Sequence, residues 1–91
     1  MLVGDRVRVV DYFWVYGQYV GWAKKYDLKN YKKLVEESEL KNIVGMVGTI
    51  SVIGSHLINE DQKLYGVQLD NGSSIVVGDL SLEFIEPMVF N

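Results

Sequence analysis

The chain has 91 residues, 48% of them hydrophobic, which suits one packed domain and excludes a disordered segment. It has no cysteine, so disulfide scaffolds, thiolate metal sites and thiol nucleophiles are excluded. The net charge of −3 is mild but uneven: residues 22–33 hold five lysines and one aspartate, a local +4, and −3 minus +4 leaves −7 on the remainder.

The first strand is expected at Asp5–Val10, where Val7 and Val9 alternate with Arg6 and Arg8 at the period of a half-buried strand. Residues 11–26, DYFWVYGQYVGWAKKY, then hold both tryptophans and seven of the eleven aromatic residues, with Gly17 and Gly21 placed to break or bend any strand. Residues 27–42 read as a helix. Leu28, Tyr31 and Val35 fall on one face, Asp27 is a candidate N-cap, and Lys32–Glu36, Lys33–Glu37 and Glu37–Lys41 are i,i+4 pairs. The charge order, lysines first and glutamates last, runs against the helix dipole.

The second half is β in pattern. Gly45–Ile53 forms a strand with Ile50 and Val52 expected on one face, and Leu64–Leu69 alternates Tyr65, Val67 and Leu69 with Gly66 and Gln68. Asp70-Asn71-Gly72 is a hairpin signal, expected as a type I′ turn with Asn and Gly both at positive φ. Ser74–Val77 returns as its partner. Gly78-Asp79 turns the chain into a last strand, Leu82–Glu86, which Pro87 ends for want of a ladder donor. Five short strands in one small domain point to a mainly β, five-stranded barrel with an α-helical insertion between strands 1 and 2.

The segments Gly4-Asp-Arg-Val-Arg-Val, Gly45-Met-Val-Gly48-Thr-Ile, Tyr65-Gly-Val-Gln-Leu-Asp-Asn-Gly72 and Leu82-Glu-Phe-Ile-Glu-Pro87 together resemble the SH3-like barrel of KOW and CAP-Gly domains. The chain also resembles small SH3-like proteins of phages and prophages of Gram-positive bacteria. The resemblance leaves out residues 11–42 and implies the barrel but neither ligand. CAP-Gly domains hold acidic-aromatic tails on a GKNDG loop, where this chain has Asn71-Gly-Ser-Ser74. RNA-binding KOW modules carry basic residues around their glycine pair, whereas residues 43–55 here carry no charge.

The aromatic stretch has two readings. Most of its rings are expected to form a second core between barrel and insertion, because buried aromatics supply the largest apolar area per residue. Strand alternation cannot place all of them inside, and Tyr12, Trp14, Tyr16 and Trp22 are the candidates for a partner-binding groove. The lysines offer a second site: on a helix, Lys25, Lys29 and Lys32 would form one basic stripe beside Trp22, Tyr26 and Tyr31. Charge with interleaved rings is what single-stranded nucleic acid requires, though lysine-bearing faces more often only keep a domain soluble.

Acid–base chemistry has little support. Glu36, Glu37 and Glu39 are explained by helical pairing, Glu60-Asp61 sits in a polar loop, and His56 is the sole histidine, expected in solvent. One histidine excludes multi-histidine zinc sites, and Gly45-x-x-Gly48 lacks the Lys-Ser/Thr of a phosphate loop. The expectation is therefore no enzyme, no cofactor and no metal. Without an apolar run near the roughly 18–20 residues of a membrane span, and without a secretory pattern in MLVGDRVRVV, a cytoplasmic setting is expected.

The reading is a single domain over residues 1–91 that serves as a non-enzymatic protein-interaction module through its aromatic first loop and insertion helix. The resemblance to phage proteins implies an accessory protein that binds and modulates a host protein. The alternatives are a nucleic-acid-binding barrel using the lysine stripe, and a structural subunit that self-associates.

Overall fold

The computed structural model describes residues 1–86, so the expected stop at Pro87 lies outside the described residues. Strand β1 (Arg6–Val9) is followed by helices α1 (Val20–Lys25) and α2 (Glu37–Ile43), then β2 (Val47–Ser55), β3 (Lys63–Leu69) and β4 (Ser74–Val77). A 3₁₀ turn over Asp79–Ser81 leads into β5 (Leu82–Glu86). The five strands form one antiparallel sheet in the order β4-β3-β2-β1-β5, so the first strand lies between the second and the last.

Strand alternation divides the apolar residues between two cores. Val7 and Val9 of β1, Ile50, Tyr65, Val67, Leu69, Ile75, Val77 and Leu82 meet in the larger one, closed by Leu34 and Ile43 from the insertion. Leu64 and Val76 point the other way, as neighbours of Tyr65 and Ile75 must in a pleated strand. They are covered by Trp22, with Tyr16, Tyr19, Tyr26, Leu28, Tyr31 and Val52 around it. This is the second core that the ring count called for.

Three local expectations are corrected. Ile50 and Val52 do not share a face: a register shift between them acts as a bulge, sending Ile50 to the first core and Val52 to the second. The hairpin is not type I′, because of the two residues expected at its centre, Asn71 and Gly72, only Gly72 has positive φ (95°). Its Leu69 carbonyl accepts from the Gly72 N–H (2.9 Å), and the Leu69 N–H donates to the Ser73 carbonyl (2.8 Å). The Asn71 side chain stays with the turn, its Oδ1 accepting from the Ser73 N–H at 2.9 Å.

The third correction is the helix over 27–42, which forms only from Glu37 onward. Asp27 and Asn30 both have φ of +54°, which a helix cannot contain, and the Asn30 carbonyl and Lys32 N–H bond Ser74 of β4 at 2.9 Å each. Residues 27–36 therefore run without helix along the sheet edge, and the pairs Lys32–Glu36 and Lys33–Glu37 lose their helical spacing. Helix starts later, where the Glu36 side chain accepts from the Glu39 N–H and Glu39 returns a bond to the Glu36 N–H (3.1 Å). The Glu37–Lys41 pair survives inside α2, at 3.4 Å. Earlier in the insertion, Val20–Lys25 forms a short helix that buries Trp22 and Ala23.

Two glycines let the insertion lie close to the sheet. A Cβ at Gly54 would sit 2.3 Å from the Tyr26 ring, and one at Gly66 would be 2.5 Å from both Leu28 and Val52. The insertion also covers the outer edge of β4. The Tyr16 N–H donates to the Val76 carbonyl (2.9 Å) and the Gly78 N–H to the Trp14 carbonyl (2.7 Å), so strand groups that would otherwise face a neighbour are paired.

Trp22 is wholly buried and its indole N–H donates to the Ser55 carbonyl at 2.9 Å. Trp22→Ala is expected to cost about 3–5 kcal/mol, measured by urea unfolding, because it empties the second core and orphans that carbonyl. At the hairpin, Arg6 grips Asp70 with two bonds of 2.7 and 2.8 Å, and this hydrogen bonding holds the Asp70 carboxyl below its ordinary value. A carboxylate whose folded value is depressed stabilises above its unfolded value, and that contribution fades as pH falls through the folded one. Asp70→Asn should therefore show a shallower loss of urea resistance between about pH 6 and about pH 3 than the parent chain.

Candidate interaction surface

The four rings singled out in the sequence go to different places. Trp22 is 0% exposed, which removes it from any binding face: the sheet needs it over Leu64 and Val76, and its ring packs at 4.4 Å from that of Tyr26. Tyr12 lies over the insertion, its hydroxyl donating to Glu37 Oε1 (2.8 Å) and its ring stacked on Phe13 at 5.8 Å. That hydrogen bond to the carboxylate raises the pKa of the Tyr12 phenol. Trp14 and Tyr16 line two clefts on either side of one loop.

Trp14 is 43% exposed while its backbone is fixed on both sides. Its N–H donates to Ser81 Oγ (3.0 Å), and its carbonyl accepts from Gly78. The Ser81 hydroxyl in turn donates to Asp11 Oδ1 at 2.6 Å, tying the start of the insertion to the turn before β5. The ring lines a cleft of 610 Å³ together with Asn59, Asp61, Gln62, Lys63, Tyr65, Gly78, Asp79 and Leu80. Two carboxylates and one ammonium thus face the same concavity. Burial, with a smaller contribution from Asp79, raises the pKa of the Tyr65 phenol at its floor.

Across the loop, Tyr16, Tyr19, His56 and Ile58 line a second cleft of 420 Å³ with Gly17 and Gln18. The ring centroids of Tyr16, Tyr19 and His56 are 5.2 to 6.0 Å apart and the rings are mutually tilted. The hydroxyls are occupied: Tyr16 accepts from Gln62 Nε2, and Tyr19 accepts from the Leu57 N–H at 3.1 Å. Gln62 lines the first cleft and bonds a ring of the second, so the loop from His56 to Gln62 is a wall common to both.

His56, expected in solvent, is half-buried and organises that wall. Its Nδ1 accepts from the N–H groups of Ile58 (3.1 Å) and Asn59 (3.2 Å). The backbone N–H of His56 donates to the Gln62 carbonyl at 2.8 Å. No spacing rule links a loop histidine to rings in the first third of the chain. The one legible signal was the loop's apolar pair Leu57-Ile58, of which Ile58 is 88% exposed.

The lysine stripe does not form as expected, because the helix that was to carry it is absent. Lys25 ends α1, its Nζ 5.4 Å from the Tyr26 ring centroid, while Lys29 and Lys32 lie in the non-helical run beside β4. All three are exposed, and among the described residues none of them is in an ion pair. Among the described residues, too, no helix is long and apolar enough to cross a membrane. Compared with family models, curated proteins and solved structures, the chain matches none.

The His56 assignment is open to a direct check by amide hydrogen exchange. His56→Ala removes the acceptor for two amides, so Ile58 and Asn59 should exchange at least about tenfold faster while β3 amides keep their protection.

Proposed function

We propose that this protein is a non-enzymatic protein-interaction module that receives a segment of a partner polypeptide in the Trp14 cleft. The observation that carries the reading is Trp14 itself: a large ring 43% exposed on a backbone hydrogen-bonded on both sides, at the wall of the 610 Å³ cleft. A ring on a backbone fixed before contact leaves only its own side-chain torsions to be ordered on binding, and large aromatics recur as interface anchors. Leu80, 67% exposed, extends the apolar surface on the far side of Asp79, and Phe13, 82% exposed, adjoins Trp14 in the chain.

The scaffold in this reading is an SH3-like barrel. The order β4-β3-β2-β1-β5, with a 3₁₀ turn between the fourth and fifth strands, supports it alongside the glycine pattern of the sequence. Residues 10–46 then form one long connection between adjacent strands, and the cleft lies where that connection meets the β2–β3 loop and the 3₁₀ turn. A small accessory protein that binds and modulates a host protein fits this reading, on the strength of the resemblance to phage proteins.

The test is selection from a displayed random-peptide library on the parent chain, followed by affinity measurement on Trp14→Ala. The substitution removes a ring that belongs to neither core, so the chain should stay folded with a urea midpoint lowered only slightly. Selected peptides should bind Trp14→Ala at least about tenfold more weakly, the order expected for an interface anchor. Peptides that bind both chains equally would remove the cleft from consideration.

A further inference from the structure

The five lysines of residues 22–33 gain a different meaning once the helix is gone. Lys24 and Lys25 sit in the last turn of α1, Lys29, Lys32 and Lys33 follow in the run along β4, and all five are exposed. Among the described residues no carboxylate lies in an ion pair with any of them. The segment's single acid, Asp27, is exposed at a left-handed turn between them.

This basic surface is not flat. Leu28 and Asp27 stand between two neighbouring clefts. One, of 330 Å³, holds Lys24 and Tyr31, and the other, of 310 Å³, holds Lys29 and Tyr26 with Ser51 and Gln68 at its polar side. Each cleft thus sets one ammonium beside one tyrosine, with the Asp27 carboxylate at the wall common to both, and both volumes fall at the low end of the roughly 300–1,000 Å³ of small-ligand sites. An alternation of cation and ring along one surface matches a polymer that alternates phosphate and base. An acidic protein would use the lysines and leave the clefts idle. A duplex keeps its bases stacked inside and would use them no better.

We propose that the Lys24–Tyr31 and Lys29–Tyr26 clefts take single-stranded nucleic acid, the lysines holding phosphates and the clefts admitting adjacent bases against the tyrosine rings. The site is independent of the Trp14 cleft, with which it shares no lining residue. Base–aromatic contact tolerates every base, so binding is set by strandedness rather than by sequence.

The experiment is fluorescence anisotropy with a labelled single-stranded DNA of about 15 nucleotides, within the span of known single-strand sites. With five phosphates neutralised, the affinity should fall roughly 100-fold between about 50 and about 200 mM salt, a log–log slope near −3.5. Lys24→Gln with Lys29→Gln should flatten that slope by about 1.4 and weaken binding at least about tenfold. The same sequence as duplex, and heparin as a polyanion without bases, should each bind more weakly than the single strand. Equal binding of heparin or duplex would reduce the surface to bare charge and overturn the site. So would an absence of binding at about 50 mM salt, where the counterion contribution is large. Trp14→Ala should bind the oligonucleotide like the parent chain, and loss of binding in that variant would place the contact at the other cleft.

Discussion

Strands β3 and β4 carry apolar side chains on both faces, and a five-stranded sheet can fold over only one of them. Leu64 and Val76, both fully buried, lie on the face left over, and Trp22 is what removes them from water. Much of the insertion's course follows from that one contact. To bring the indole over the sheet the chain makes the short helix α1, whose next buried residue is Ala23. To bring Tyr26 and Leu28 down beside it, the strands below must have no side chain at Gly54 and Gly66. The indole N–H, carried into the interior, must find an acceptor, and the Ser55 carbonyl at the end of β2 supplies it.

The same placement deals with the sheet's edge. An uncovered β4 would present unpaired backbone groups to any other strand. Instead the chain passes β4 twice, pairing Val15 with Val77 antiparallel and Tyr31 with Ser74 parallel. The first passage holds Trp14 at the rim of its cleft, and the second carries Lys29 and Lys32 on a surface that shares no residue with that cleft. Both candidate binding faces are therefore by-products of covering the sheet. The insertion is at once the lid of the second core, the guard of an edge and the carrier of exposed chemistry.

This division explains what was legible in the sequence. Strands β1, β3, β4 and β5 were readable because alternation and turn residues are local signals, and the excess of rings in residues 11–26 announced a second core. The bulge at Ser51 was not readable: it is set by how β2 pairs with β3 on either side of it. Nor was the lack of helix over residues 27–36. Leu28, Tyr31 and Val35 have helical spacing, but the sheet claims Leu28, Tyr31 and Leu34 from a non-helical chain and leaves Val35 exposed, and the bonds between Asn30, Lys32 and Ser74 outweigh any local preference. The lysine-before-glutamate order was the one local sign against that helix, and the helix that does form starts at the glutamates. Trp14 and Trp22 differ by nothing in composition. Only the two passages along β4 decide which ring is spent inside.

The contrast between those two tryptophans bears on function more than the fold does. Burying Trp22 satisfies its ring and its N–H together, so nothing of it remains for a partner. Trp14 is fixed by its backbone alone, through Ser81 and Gly78, and the bonds holding it make no demand on the ring. The 43% of Trp14 that stays in water costs solvation free energy. Its neighbours sharpen the point, since Asp61 and Asp79 stand beside it where a folding core would place apolar side chains. The backbone around the ring is fixed by the turn before β5 and, through Ser81, by Asp11. In the proposed reading, a residue supported in this way contributes through what comes to cover it.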